Sequence, residues 1–301
     1  MTSPPGEIPL HRTTFTGLAD ARAEIQRVLH TRGAILLRGL PLRTVGDFAR
    51  IRDVLLPGRL SPAEPFAPRT VLAPGIYSSA EWPDSQELCL HPEQSYRRTF
   101  PETLMLGCVT PPSSGGATTI GGARTVLRAL PGGLVERFRT EGWLLKRVYR
   151  PHIGLSWQEV LQADTRSEAE QYCRANDITM AWQPDGTLHT SQRRAAVWTH
   201  PRTGEECWFN QISFLNQWSL PEVEREVLTE AFGEDGLPFD TYFGDGGVIG
   251  RDVIDTINKA YATHAVPVRW RAEDVLLMDN MLTARGREPY APPREILVAM
   301  G

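Results

Sequence analysis

The chain has 301 residues, of which 41% are apolar, enough to bury one large core or two modest ones. Lysine and arginine total 32 and aspartate and glutamate total 36, and the net charge of −4 gives no footprint for nucleic acid or an anionic membrane. The N-terminus lacks a basic region followed by an apolar run, and no stretch approaches the ~20 apolar residues of a membrane span. The four cysteines are far apart, with no C-x-x-C pair, which favours reduced thiols. We therefore expect a soluble cytoplasmic protein.

The N-terminal part of the chain predicts two helices around a short strand. Apolar residues at helical spacing predict a helix over residues 18–32, and a glycine-bounded apolar run predicts a strand over 33–39. A second helix is predicted over 44–56, with Asp47 near its start. Residues 60–85 are rich in proline, serine and alanine and poor in periodicity, which predicts a long loop and a candidate lid.

The remainder of the chain alternates short strands with helices, and a glycine-bearing loop is predicted between the last two strands. The strands are predicted at residues 87–91, 103–109, 187–190, 195–200, 206–210, 274–279 and 295–300, and the helices at 123–130, 167–176, 220–232 and 252–264. Many short strands with helices outside them favour a mostly β protein, a sandwich or closed jelly roll with peripheral helices. No repeat or clear linker divides the chain, so we expect a single domain over residues 1–301.

The tripeptide His91-Pro92-Glu93 is the first candidate for chemistry. In an extended segment, residues two apart point to the same face, so the imidazole and the carboxylate converge. Two histidines and one carboxylate on one face of iron form the facial triad of non-haem oxygenases. By itself the tripeptide is weak evidence, because about one such match is expected by chance in a chain of this composition.

Ordered motifs around this tripeptide make the signal specific. The segment His91-Pro92-Glu93-Gln94-Ser95-Tyr96, followed by residues 100–104, resembles the proximal motif of the TauD/TfdA family of Fe(II)- and 2-oxoglutarate-dependent dioxygenases. The resemblance is greatest to the SyrP-like subgroup, which hydroxylates amino acids in natural-product pathways. Similar blocks follow in the family's order at residues 111–118, 154–160, 208–211 and 279–289.

The resemblance implies a double-stranded β-helix (jelly roll) core and a set of site residues. It assigns His91 and Glu93 to Fe(II), and Thr118 and Arg294 to 2-oxoglutarate. An arginine suits a carboxylate because its planar fork binds bidentately. The alternative for Arg294 is a surface ion pair with Glu295 or Glu288.

Arg285 departs from the family pattern, because it stands where the second iron-binding histidine belongs. A guanidinium stays protonated, has no lone pair for a metal and repels a nearby cation. Three alternatives remain open for the third ligand. Arg285 swings out to pair with Glu288 or Asp279, another histidine such as His152 or His264 replaces it, or iron is bound weakly by two ligands and 2-oxoglutarate.

Two functions therefore stand side by side. The first is an oxygenase of atypical metal site that oxidises an amino acid or a carrier-bound aminoacyl group in antibiotic-type biosynthesis, with Arg124, Asn210 and Gln211 as candidate substrate contacts. The second is a redox-inactive member of the same fold, which binds a carboxylate, catalyses a non-oxidative step or supports a partner. Retention of His91, Glu93, Thr118 and Arg294 favours the first, and the substitution at 285 favours the second.

Overall fold

The computed structural model describes residues 8–56, 58, 60, 63–233 and 236–301, and shows two facing β-sheets with helices outside them. The helices are α1 (Phe15–Arg32), α2 (Val45–Leu55), α3 (Ala123–Ala129), α4 (Gly132–Glu141), α5 (Trp157–Leu161), α6 (Arg166–Ala175), α7 (Glu222–Phe232) and α8 (Arg251–His264). The strands are β1 (Leu10–Arg12), β2 (Ala34–Arg38), β3 (Val71–Ala73), β4 (Ile76–Ser78), β5 (Leu88–His91), β6 (Thr103–Thr110), β7 (Ser114–Gly115), β8 (Thr118–Gly122), β9 (Trp143–Tyr149), β10 (Thr179–Trp182), β11 (Leu188–Arg194), β12 (Val197–Thr199), β13 (Glu206–Trp208), β14 (Phe239–Phe243), β15 (Val266–Val268), β16 (Val275–Asp279), β17 (Thr283–Arg287), β18 (Tyr290–Ala291) and β19 (Glu295–Met300).

The larger sheet has seven strands in the order β1-β2-β16-β6-β19-β4-β3. Side chains alternate between the two faces of a strand, so an unbroken apolar run such as β16 serves both faces. Leu277 packs with α1 and α2 on the outer face, whereas Leu276 faces the second sheet. Each large aliphatic side chain that is fully buried in this way contributes about 1.5–3 kcal/mol to the stability of the folded state.

The second sheet, in the order β15-β8-β17-β5, carries the candidate site. Its strand β17 pairs with both β8 and β5, and the outward-facing Ala284 packs with Leu90 in the core beneath α3 and α8. The inward face of β8 and β17 includes Ile120, which packs against the larger sheet. The two sheets therefore enclose the interior of a barrel, as expected for a jelly roll. A third sheet, β10-β11-β9-β14, extends from it.

Local sequence explains where the helices begin. Thr44 and Asp47 form a reciprocal capping box at the start of α2, and Ser156 with Glu159 and Thr165 with Glu168 do the same for α5 and α6. Each box satisfies two backbone N–H groups that have no partner within the helix. At the other end of α1, Gly33 adopts a left-handed conformation (φ 81°).

The mostly β fold class with a jelly-roll core is confirmed, and so are the helices and strands predicted within residues 18–56 and 252–300. The patterns missed β15, β17 and β18 in the second of these ranges. The predicted loop between β16 and β19 contains the buried strand β17. The prediction missed this strand because a glycine among polar residues is typical of a loop, whereas here the polar side chains point into the barrel. The loop predicted over residues 60–85 contains β3 and β4, and β4 pairs with β19. Residues 61 and 62 of that segment lie outside the described part.

The sequence patterns also left out β8, which carries Thr118, and the elements β9, β10, β14 and α4, which form most of the third sheet and its cover. None of the helices in the described ranges is long and apolar enough to cross a membrane.

Candidate functional site

Strands β5 and β17 place the predicted site residues side by side. Arg285 is the register partner of His91 on one side and of Ile120 on the other. Arg287 pairs in the same way with Thr118. Because Arg285 and Arg287 are two residues apart on a strand, both side chains point into the barrel. His91 and Arg285 therefore lie side by side on neighbouring strands.

His91 is buried and held in one orientation. Its Nδ1 lies 2.8 Å from the carbonyl oxygen of Cys89, so Nδ1 carries the proton and Nε2 keeps its lone pair. Its ring stacks on Phe214, with ring centroids 4.0 Å apart and planes at 15°. Burial, followed by the charge of Arg285, lowers the pKa of His91 to about 4. His91 is therefore a neutral imidazole at physiological pH, the form that binds a metal.

Glu93 is fixed through its backbone by a fully buried asparagine. The Glu93 amide donates to Oδ1 of Asn280 (2.7 Å), and Asn280 Nδ2 donates to the carbonyl oxygens of Glu93 and Pro101, both at 2.8 Å. Asn280 immediately follows β16 and therefore ties the proximal segment to the turn that enters β17. This asparagine satisfies backbone groups that would otherwise be buried without partners.

The Glu93 carboxylate is shared by two arginines. Arg285 donates through Nη2 to Oε2 in a short contact, and Arg69 Nη2 lies 3.1 Å from the same oxygen and 3.3 Å from Oε1. Burial raises the pKa of the Glu93 carboxyl, but the charges of Arg69 and Arg285 outweigh it and lower the pKa to about 2. Glu93 is thus ionised and already bonded.

The residues present do not fit the three-ligand iron centre that the resemblance implies. His91 and Glu93 have the protonation states of ligands, but the third position holds a guanidinium, which cannot ligate a metal. That guanidinium is bonded to Glu93 itself and to neither of the acids considered from sequence, Glu288 and Asp279. A metal at this place would meet a positive charge on its own carboxylate ligand.

Thr118 and Arg294 both lie close to Arg287, since Thr118 is its register partner on β8 and Arg294 shares the Tyr290 ring with it. Thr118 is buried and its hydroxyl accepts from Nε1 of Trp270 at 3.1 Å, so the hydroxyl proton remains for an acceptor. Arg294 immediately precedes β19 and lies over the Tyr290 ring, 5.2 Å from its centroid. Among the described residues its Nε has no hydrogen-bond partner, and neither Glu288 nor Glu295 is among the charges that act on it.

The three residues predicted to contact the substrate differ in their hydrogen-bond partners. Arg124 pairs with Glu205 and donates to the carbonyl of Thr31 at 2.9 Å, so its guanidinium is engaged by the protein itself. Asn210 is bonded to the Ala196 carbonyl, and its Oδ1 accepts from the amide of Ile212, so its amide group is satisfied locally. Gln211 is buried three residues before Phe214, and its Oε1 has no partner among the described residues.

The two histidines proposed as replacements are not at the site. His152 is exposed in a turn, and His264 lines a cavity next to α1 and Arg124. A different cluster brings His30, His200 and Asp279 together, with their ligand atoms within 4.8 Å of one another.

Hydrogen bonding argues against a metal at that cluster. His200 Nδ1 accepts from the amides of Arg202 (3.3 Å) and Thr203 (3.1 Å), so the ring proton is on Nε2, which donates to Asp279 at 3.0 Å. A histidine that binds a metal through one ring nitrogen normally donates the N–H of the other nitrogen to an acceptor. In His200 that other nitrogen accepts instead. The other Asp279 oxygen caps the turn into β17 through the amides of Met281 and Leu282. The cluster therefore supports the strand that carries Arg285.

Sequence patterns missed two arginines of the site. Arg69 lies in the segment predicted as a loop, and no local signal predicts that it reaches Glu93. Arg287 could have been found from its spacing of two from Arg285, had β17 been predicted as a strand. Its Nη2 donates to the carbonyls of Pro83 (2.6 Å) and Gln86 (3.0 Å).

Comparison with known proteins gives consistent matches over almost the whole chain. Residues 3–300 match the model of the family described as "Taurine catabolism dioxygenase TauD, TfdA family". The dapdiamide synthesis protein DdaC of Enterobacter agglomerans is 31% identical over 92% of this chain and 84% of its own length. A clavaminate synthase-like protein of Arabidopsis thaliana is 27% identical over 92% of this chain and 83% of its own.

Among solved structures, a taurine dioxygenase from Burkholderia xenovorans superposes with a TM-score of 0.54 at 15% identity. The superposition covers 99% of this chain and 87% of the other, which supports the same fold. With the family model spanning residues 3–300 and a relative above 30% identity, the chain belongs to the TauD/TfdA dioxygenase family.

Proposed function

We propose that this chain acts on an amino acid or a carrier-bound aminoacyl group in natural-product biosynthesis, as an oxidoreductase of the 2-oxoglutarate-dependent dioxygenase type with an atypical metal site. The observation that carries the proposal is that His91, Glu93 and Thr118 converge in the barrel, with His91 neutral, Glu93 ionised and the hydroxyl proton of Thr118 available to an acceptor. The relative named for dapdiamide synthesis supports the biosynthetic setting.

The end of the barrel that carries His91, Glu93 and Arg285 is called the barrel mouth. Its remaining residues would hold the substrates and exclude water. Arg294 offers its fork to the tail carboxylate of 2-oxoglutarate, and Thr118 donates its hydroxyl proton to the same group. Phe214 covers one face of the His91 ring and lies 6.3 Å from the Trp82 ring, so these aromatics form an apolar wall. Gln211, with its unpartnered carbonyl oxygen, is the remaining candidate for a polar substrate group.

Arg285 sets a condition on this function. Two protein ligands and a guanidinium do not make an iron centre, so oxidation requires that Arg285 first release Glu93. The binding energy of the substrates would have to supply that release, because the Arg285–Glu93 contact is buried.

The test is an anaerobic titration of the protein with Fe(II) and 2-oxoglutarate, in which the visible charge-transfer band of the chelate is recorded. The Arg285→His variant restores the family's third ligand and serves as the matched comparison. A band in both proteins supports the oxygenase. A band in neither, with both proteins folded, contradicts the assignment of the site.

A second candidate, a redox-inactive protein of the same fold, is favoured by one observation. The buried contact between Arg285 and Glu93 occupies the carboxylate that iron would need. In the same titration this candidate predicts a band in Arg285→His and none in the native protein.

We also propose a cytoplasmic location, on the basis of the cysteines. All four (Cys89, Cys108, Cys173 and Cys207) are free thiols, which is the usual state in a reducing compartment.

A further inference from the structure

Four arginines converge on the barrel mouth. Arg285 and Arg287 share the inward face of β17, and Arg69 reaches the same carboxylate as Arg285. Arg294 joins them through Tyr290, because the guanidinium carbons of Arg287 and Arg294 lie 4.8 and 5.2 Å from the centroid of that ring. These four residues are called the arginine cluster below.

The described acids do not balance this charge. Glu93 is the buried carboxylate that pairs with Arg69 and Arg285, and His91 is neutral. Asp84 lies near Arg287 and Tyr290, but it is exposed to solvent. Burial, followed by the charge of Arg287, lowers the pKa of Arg294 to about 10, as expected for a cation without a counter-ion.

Each member of the arginine cluster also has a buried nitrogen without an acceptor. These atoms are Nη1 of Arg69 and Nε of Arg285, Arg287 and Arg294, and none has a hydrogen-bond partner within the described part of the chain. A buried donor of a charged group that has no acceptor lowers the stability of the fold by about 1–3 kcal/mol or more. Four such donors within the arginine cluster indicate that an anion belongs there.

We propose that Arg285 makes the position of the missing metal ligand a carboxylate receptor, so that the mouth binds 2-oxoglutarate or a similar short dicarboxylate without a metal. Arg285, assisted by Arg69, would hold one carboxylate, and Arg294 would hold the other. Arg285 uses Nη2 for Glu93, which leaves its Nε for the ligand. This inference rests on the proposed use of the mouth as a 2-oxoglutarate pocket. It concerns the state in which Arg285 stays bonded to Glu93, and it assigns the metal's share of the binding to a guanidinium.

The experiment is isothermal titration of 2-oxoglutarate into the purified chain in excess EDTA and again with Mn(II) in place of EDTA. We expect binding in EDTA, with an affinity that Mn(II) changes less than about twofold, because Arg285 already supplies the charge. Pyruvate, with one carboxylate, should bind at least ~10-fold more weakly, because it loses one charge-assisted contact.

Variants locate the receptor. Arg285→Gln should weaken metal-free binding at least ~10-fold, and Arg285→Lys, which keeps the charge without the fork, should weaken it less. Arg285→His should bind 2-oxoglutarate only with Mn(II). Arg251→Gln, at an exposed arginine on α8, is the control and should bind as the native chain does. Circular dichroism of each variant establishes that it is folded.

The outcomes separate this inference from the proposed function. Binding to the native chain only with Mn(II), or equal metal-free binding by Arg285→Gln, overturns the receptor and leaves the proposed pocket intact. Absence of binding in the native chain and in Arg285→His, with and without Mn(II), overturns both.

Discussion

Glu93 determines the electrostatic balance of the barrel mouth. Its carboxylate is the buried anion between Arg69 and Arg285, and all three side chains are about nine-tenths buried. Charges taken out of water are tolerated only when they are paired and hydrogen-bonded. With a guanidinium at position 285, the local chemistry is therefore that of a buried ion-pair cluster.

Loss of the Glu93 charge should destabilise the protein strongly. Glu93→Gln leaves two buried guanidinium groups without a counter-ion, and we expect a loss of about 3–5 kcal/mol in the free energy of unfolding. Urea denaturation measures it. Glu102→Gln, at an exposed glutamate 3.7 Å from Arg202, should change the free energy by less than about 1 kcal/mol. Equal losses in the two variants would contradict the buried cluster.

At the scale of elements, β17 owes its position to close approaches that only glycine allows. A Cβ atom on Gly286 would lie 2.5 Å from the carbonyl oxygen of Leu88 and 2.7 Å from Oγ1 of Thr119. The first of these atoms belongs to the backbone of the neighbouring strand and cannot rotate away. The pairing of β5 with β17, and with it the contact between Arg285 and Glu93, therefore depends on this glycine.

Gly286→Ala should consequently push β5 and β17 apart. We expect a loss of about 1–3 kcal/mol in stability, as for overpacking of a core, measured by urea denaturation. Gly133→Ala in α4 is the matched control, because a Cβ atom there meets nothing within 4 Å. The control should be neutral or slightly stabilising. A neutral Gly286→Ala would show that the strands are not in this register.

The capping box of α2 makes a second prediction at this scale. The hydroxyl of Thr44, followed by the guanidinium of Arg50 and the backbone amide of Arg43, lowers the pKa of Asp47 from 3.8 to about 2. A carboxyl whose pKa is lower in the folded state stabilises the fold above its unfolded value and loses this effect as the pH falls toward the folded value.

Asp47→Asn should thus lower the free energy of unfolding by about 1 kcal/mol at pH 7. The difference in this free energy between the variant and the native chain should shrink between pH 4 and pH 2. Thermal unfolding at a series of pH values measures it. Asp20→Asn, at an exposed aspartate of α1, provides the comparison. A difference that is constant across this pH range would exclude the carboxylate as the stabilising group.

At the scale of the whole molecule, the double-sheet architecture joins segments that are distant in sequence. The mouth combines Arg69 from the segment before β3, His91 at the end of β5, Glu93 just after it, Thr118 on β8 and residues 285–294 near the C-terminus. The same burial encloses the thiols. Burial raises the pKa of Cys89 and Cys173 to about 11 and of Cys108 and Cys207 to about 12.

We therefore expect the native protein to resist thiol modification. At pH 8 a thiol with a pKa of 11 is almost entirely protonated, and the thiolate is the reactive form. Titration with a chromogenic disulfide reagent should show little reaction in the native state and four thiols after denaturation. Rapid labelling of one thiol before denaturation would contradict the packing around it.

The amino-acid sequence by itself determined the family, most helices and the members of the proximal motif, because these depend on residues that are near one another in the chain. Capping boxes, helical periodicity and ordered motifs are local signals of this kind. The sequence also identified Arg285 as the departure, but it left open which acid the guanidinium meets.

Only the tertiary structure decided that partner and added Arg69, which no local pattern connects to Glu93. It also showed that residues 283–287 form a strand, although their polar composition predicted a loop. The physical reason is the same in these cases. An ion pair or a strand register is a property of two distant segments together, and its energy appears only after folding has buried both.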